Sequence, residues 1–151
     1  MEPGDRDYLL DAAGLQPDAR RKFKAVVSAV RAKGLPLVVW ETLRTWKQQR
    51  RLYAQGRSDA TLLSVGYTAP EIQSARSAGY TAKKPVVTWI RVPKMHGTGR
   101  AMDCVWLING GVSWNAPTDW WAVYGRAAKA YGLTWGGDWQ TRDLPHVEWR
   151  P

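Results

Sequence analysis

The sequence predicts an α+β fold with a small, mainly antiparallel sheet flanked by helices, and three observations carry that expectation. Helical and strand-like stretches are mixed without the regular βαβ rhythm of a parallel sheet. A valine-rich run, Leu35-Pro-Leu-Val-Val-Trp-Glu41, follows directly on a helical pattern. A second apolar run, Cys104-Val-Trp-Leu-Ile108, leads into Asn109-Gly-Gly, a hairpin-type turn. The 151 residues contain no repeat, low-complexity stretch or composition break, so the chain reads as one domain over 1–151.

In order along the chain, residues 17–33 predict a helix. Pro17 suits the first turn, Phe23, Val26, Val27 and Val30 recur at helical spacing, and Gly34 stops it. Leu35–Glu41 reads as a buried strand. Thr45 caps a second helix that ends at Gly56. Residues 57–67 read as loop. Thr68-Ala-Pro-Glu71 has the spacing of a capping box and opens a short helix to about Ser77. Residues 78–84 read as loop and Val86–Val92 as a strand. The glycines in His96-Gly-Thr-Gly-Arg-Ala-Met-Asp103 predict a turn that feeds a central strand. A helix covers 118–131, Leu133–Trp135 reads as a short strand, Gly136-Gly-Asp138 as a loop, and His146–Trp149 as a last strand.

An apolar fraction of 44% fits a folded globular chain. The single cysteine, Cys104, excludes an intramolecular disulfide and, inside its apolar run, reads as a buried small hydrophobe. The N-terminal residues are acidic and turn-like, not a basic stretch leading into an apolar one, so no signal peptide is expected. No segment approaches the ~20 apolar residues of a membrane span. Synthesis in the cytoplasm follows as the expectation. The net charge of +9 favours polyanionic surroundings, either nucleic acid or an anionic cell envelope. No helix-turn-helix, zinc-finger or RNP-like signature is present, so specific nucleic-acid binding is not expected. Ten tryptophans supply flat faces for a core or a binding cleft.

Both histidines of the chain lie near carboxylates. His96 precedes Asp103 by seven residues, and His146 stands between Asp143 and Glu148. A catalytic zinc takes three such ligands and leaves a fourth position for water, whose pKa it lowers to ~7. The glycine turn can bring His96 and Asp103 back toward one metal. His146 completes the set if its strand pairs with theirs, since neighbouring strands lie ~4.8 Å apart. Asp143 and Glu148 compete as the proton shuttle, with loop geometry favouring Asp143. Asp138 reads as a turn residue or a partner of a ligand histidine. Trp135 and Trp139 read as core or cleft wall, and Arg50, Arg51 and Arg57 as a solvated basic face. Spacing alone leaves open that both histidines are ordinary structural residues.

His96-Gly-Thr-Gly-Arg-Ala-Met-Asp103 resembles the HxxGxAxD motif of the M15 metallopeptidase family, which holds the D-alanyl-D-alanine and L-alanyl-D-glutamate peptidases. Trp135-Gly-Gly-Asp-Trp139 followed by Asp143-Leu-Pro-His146 is similar to its C-terminal block, in the form typical of the L-alanyl-D-glutamate branch that includes phage endolysins. Arg44 with Gln49-Arg-Arg-Leu-Tyr-Ala-Gln-Gly-Arg57 is similar to its RxxxxQxxLYxxGR stretch. The three blocks, with the first helix and strand, span residues 17 to 149.

This resemblance implies zinc (Zn2+) ligands at His96, Asp103 and His146, Asp143 as general base and acid, and Arg44 as the cation facing the oxyanion. It implies a peptidase acting on the peptidoglycan stem peptide at the L-alanyl–D-glutamate bond; a monomer is the separate expectation. A D-alanyl-D-alanine carboxypeptidase or dipeptidase, and a non-catalytic wall-binding module of the same fold, are the alternatives. Size, charge and the expected lack of a leader suit a phage-type endolysin, made inside the cell and acting at the wall after release. Two departures stand out. Lys94 occupies a position that is often serine in the family, and the segment from Ser58 to Pro93 is longer than its pattern.

Overall fold

A computed structural model describes residues 1–91 and 95–151. The helices are α1 (Pro17–Arg31), α2 (Trp46–Ala54), α3 (Asp59–Ser64), α4 (Ala69–Ser77) and α5 (Thr118–Ala130). The strands are β1 (Leu37–Glu41), β2 (Ala101–Ile108), β3 (Gly111–Ser113), β4 (Thr134–Trp135) and β5 (His146–Glu148), and short 3-10 turns occupy Asp7–Asp11 and Gly136–Asp138. The chain divides into two compact units, Met1–Leu43 with Met95–Pro151, and Arg44–Lys94.

The first unit holds the whole sheet, in the order β1-β2-β5-β4 with β3 also paired to β2, and every pairing is antiparallel. The predicted α+β class with a small antiparallel sheet is therefore what the chain forms. Alternation along the strands sorts the side chains. Met102, Cys104 and Trp106 of β2, Leu37 and Val39 of β1 and Val147 of β5 enter one core. Phe23, Val26, Val27 and Val30 of α1 pack there with Trp121, Tyr124 and Ala128 of α5. The intervening residues Asp103, His146 and Glu148 belong to the opposite face. Between β2 and β3 the chain turns at Asn109 (φ 52°) and Gly110 (φ 77°), the positive-φ pair of a tight hairpin, as its sequence predicts.

The second unit packs Ala54, Leu62, Tyr67, Ile72 and Ala75 into its own core. Both expected caps form: Thr45 with Gln48 opens α2, and Thr68 with Glu71 opens α4, each as a capping box. Two expectations are corrected here. Residues 57–67 are not all loop, because α3 forms behind the N-cap Ser58, whose hydroxyl accepts from the Thr61 amide while Leu62 is buried. Six residues are too few for periodicity to show. Residues 86–91 form no strand, and Val92 lies outside the described residues, as does Lys94. Trp89 is 81% exposed, and the carbonyl of Ile90 accepts from the Gln49 side chain instead of a neighbouring strand.

The arginines 50 and 57 are also more than a solvated face. Arg50 makes a two-pronged ion pair with Glu71 (3.0 Å to each oxygen) and lies 3.9 Å over the Tyr67 ring. Arg57 lies 3.7 Å over Tyr53 and donates to the Thr88 carbonyl. They tie loops and helices of this unit together.

Candidate metal centre

Register alone brings two of the expected ligands together. Asp103 of β2 pairs directly with His146 of β5, and directly opposed residues have their Cβ atoms about 4.5–5.5 Å apart on one face. His96 arrives from the turn before β2. The Met95 carbonyl accepts from the amides of Thr98 and Arg100 and from the Thr98 hydroxyl, which winds this turn tightly. Gly99 sits at φ +72° against the chain at Gly14, where an added Cβ would fall 2.0 Å from the Gly14 carbonyl oxygen. Only glycine fits that position, and it fixes where the turn lies.

The three side chains converge as the sequence predicts. Asp103 Oδ1 lies 3.3 Å from His96 Nε2 and 3.0 Å from His146 Nδ1, and the donor atoms all lie within 4.8 Å of one another. Both histidines are 7% exposed. Two imidazole nitrogens and one carboxylate oxygen are a donor set suited to zinc, and tetrahedral bonds of about 2.0–2.1 Å place neighbouring donors about 3.3 Å apart. The two spacings to Asp103 match that geometry.

Hydrogen bonding on the far side of each ring assigns its protons. His96 Nδ1 lies 3.1 Å from the Thr42 carbonyl oxygen, which can only accept, so Nδ1 carries a proton and Nε2 is the nitrogen turned toward Asp103. His146 Nε2–H donates to Glu148 Oε1 at 3.0 Å, which leaves Nδ1 aimed at Asp103. Burial opposes ionisation of Asp103, but hydrogen bonds from His146 and His96 outweigh it and hold the carboxyl well below the usual range. Burial likewise opposes the charged form of His146, but its bonds to Asp103 and Glu148 raise its pKa to about 9. Burial raises Glu148, while His146 and Arg150 bring it down to about 2.

The tryptophan–glycine block shapes the loop before β5. The Trp135 indole lies between Gly125 of α5 and Gly137, where an added Cβ would in each case fall 2.2 Å from a ring atom. Its Nε1–H donates to the Leu144 carbonyl at 2.8 Å, and the Asp143 amide donates to the Gly136 carbonyl at 2.9 Å. Trp135 is thus a structural wedge. Trp139 packs on the His146 ring, with centroids 5.2 Å apart.

Asp143 is exposed, stands on that loop, and lies close enough to add to the charge felt by His146. Glu148 is 3% exposed, with one oxygen on His146 and the other accepting from Arg150 Nε at 2.7 Å, so it is engaged where a proton shuttle must be accessible. Asp138 is not a partner of a ligand histidine: its carboxylate pairs with Lys129 at 3.0 Å in the last turn of α5. Arg44 belongs to the second unit, where its Nη1 donates to the buried Gln49 Oε1 at 2.8 Å. Sequence reasoning missed the Thr42 carbonyl and Arg150. A backbone acceptor leaves no mark in the sequence, but an arginine two residues after a strand glutamate was a legible sign.

Comparison with known proteins agrees with this geometry. A family model described as D-alanyl-D-alanine carboxypeptidase matches residues 94–149. The chain is 30% identical over 148 residues to the peptidoglycan L-alanyl-D-glutamate endopeptidase CwlK of Bacillus subtilis (strain 168), covering 91% of this chain and 74% of that protein. The fold is shared with the L-Ala D-Glu endopeptidase ChiX of Serratia marcescens (TM-score 0.58, 23% identity, 98% of this chain and 88% of the other). It is also shared with a mutant of the vancomycin resistance D,D-pentapeptidase VanY in complex with Zn(II) (TM-score 0.52, 17% identity, 89% and 72%). The class defined by this fold and donor set is the metallopeptidase. The chain belongs to the M15 metallopeptidase family of D-alanyl-D-alanine and L-alanyl-D-glutamate peptidases.

Proposed function

We propose that the chain is a zinc peptidase that hydrolyses the L-alanyl–D-glutamate bond of peptidoglycan stem peptides. The observation that carries the proposal is the convergence of His96, Asp103 and His146 donors within 4.8 Å in a chain 30% identical to an enzyme of that specificity. These three residues hold the metal, which when bound supplies a Lewis acid that activates water and polarises the scissile carbonyl. Asp143 takes a proton from the attacking water and returns it to the departing D-glutamate amine, a role its exposed loop position next to His146 supports. Arg44 is assigned to the oxyanion on its family motif. The net charge of +9 suits an anionic wall, and we read the chain as a lysis enzyme of the phage endolysin kind that works as a monomer.

Mass spectrometry of purified peptidoglycan digested with and without a chelator tests the reading. Chelator-sensitive products with a new D-glutamate amine are expected. Released D-alanine would instead support the carboxypeptidase reading, which the description of the matching family model favours. No cleavage by a sample that contains zinc would leave a wall-binding module.

A further inference from the structure

We propose that Glu148, itself held by Arg150, is the positioning residue that aims His146 at the metal. The inference rests on the reading of His96, Asp103 and His146 as the metal ligands.

The two histidines are oriented by different means. His96 is fixed by a main-chain carbonyl, that of Thr42, which no substitution removes. His146 is fixed by a side chain: its Nε2–H donates to Glu148 Oε1 at 3.0 Å, and Glu148 Oε2 accepts from Arg150 Nε at 2.7 Å. Alternation along β5 makes this possible, because His146 and Glu148 share a face while Val147 between them enters the core.

Glu148 is 3% exposed and lies between Ala101 of β2 and Thr134 of β4 in the sheet. A buried carboxylate costs stability unless both oxygens are engaged. Here one oxygen serves the His146 ring and the other is neutralised by an arginine whose own side chain is 61% exposed. The pair spends the cost of burying a charge on a single result, the orientation of one imidazole. Trp139 packs against that ring but presents an apolar surface. Packing of that kind tolerates a half-turn of the imidazole, which would carry Nδ1 away from Asp103. The hydrogen bond to Glu148 selects one of the two orientations.

The test uses the full chain, stripped of metal and titrated with Co(II), whose visible bands report ligand number and geometry. Affinity is read by competition with a chelating dye, and folding by circular dichroism. Glu148→Ala is expected to bind cobalt roughly 10- to 100-fold more weakly than the wild type, with altered bands. Glu148→Gln keeps an oxygen that accepts from Nε2–H and should recover most of that affinity. Arg150→Ala alters an exposed side chain, keeps the test available if Glu148→Ala does not fold, and should weaken binding in the same direction. Wild-type affinity and bands in Glu148→Ala, or in Arg150→Ala where Glu148→Ala is unfolded, would overturn the positioning role. So would an equal loss in Glu148→Gln and Glu148→Ala, which would mark charge and not orientation as the cause. A wild type that binds no cobalt would overturn the metal reading itself, an outcome distinct from the others.

Discussion

Individual residues divide the chemistry by what their atoms can still do. Thr42 and Glu148 offer only acceptors to the two imidazoles, which sets the ring protons and leaves one nitrogen of each ring toward Asp103. Asp143 stands outside that cluster and is exposed, so its loss should spare the ligands. Asp143→Ala is expected to retain zinc while kcat falls roughly 100- to 10,000-fold. His146→Ala should lose both metal and activity. Metal content beside kcat checks this, and zinc loss in Asp143→Ala would show the role to be wrong. Cys104 gives a second prediction. It is fully buried, and burial pushes its thiol up to about 12, so it stays neutral at any ordinary pH. A thiol reagent at pH 8 should leave it unmodified in the native chain and titrate one thiol after unfolding.

Among the elements, the segment from β4 to β5 determines how the site is presented. A Cβ at Gly136 would meet the Asp143 carbonyl oxygen at 2.4 Å and the Asp143 Cβ at 3.0 Å. Gly136→Ala must therefore push the Asp143 loop aside, and kcat is expected to fall at least tenfold while zinc stays bound. Metal content and kcat of the purified variant check it. The sequence made much of this legible. The resemblance to the family's motifs singled out the three residues that converge, His96, Asp103 and His146, and alternation put His146 and Glu148 on one face. It could not reveal the partner of β5. Asp103 and His146 lie 43 residues apart, and periodicity reports faces, not registers. The short helix α3 escaped for lack of length. The stretch 86–91 is rich in strand formers, yet its backbone bonds to side chains of its own unit.

For the molecule as a whole, stability and charge are the accessible readouts. A ligand that binds only the folded chain stabilises it by about 2.7 kcal/mol at one hundred times its Kd. Zinc added to stripped protein should raise Tm by several degrees, and the rise should vanish in His146→Ala; differential scanning calorimetry decides. Among the described residues no helix is long and apolar enough to cross a membrane. With a net charge of +9, attraction to an anionic wall is expected to be electrostatic. Lysis of cell-wall suspensions should then slow steadily from low to high salt, over ionic strengths where the screening length shrinks from about 30 Å to about 3 Å. A flat profile would remove charge from the account of wall binding.

The pairing of β2 with β5 does two things at once. On one side of the ladder it sets Asp103 against His146, and on the other it carries Met102 and Val147 into the core. A strand one residue out of step would turn both histidine and valine to the wrong side together. On the proposed ligand set, full metal affinity is therefore expected only of a chain whose sheet is already aligned.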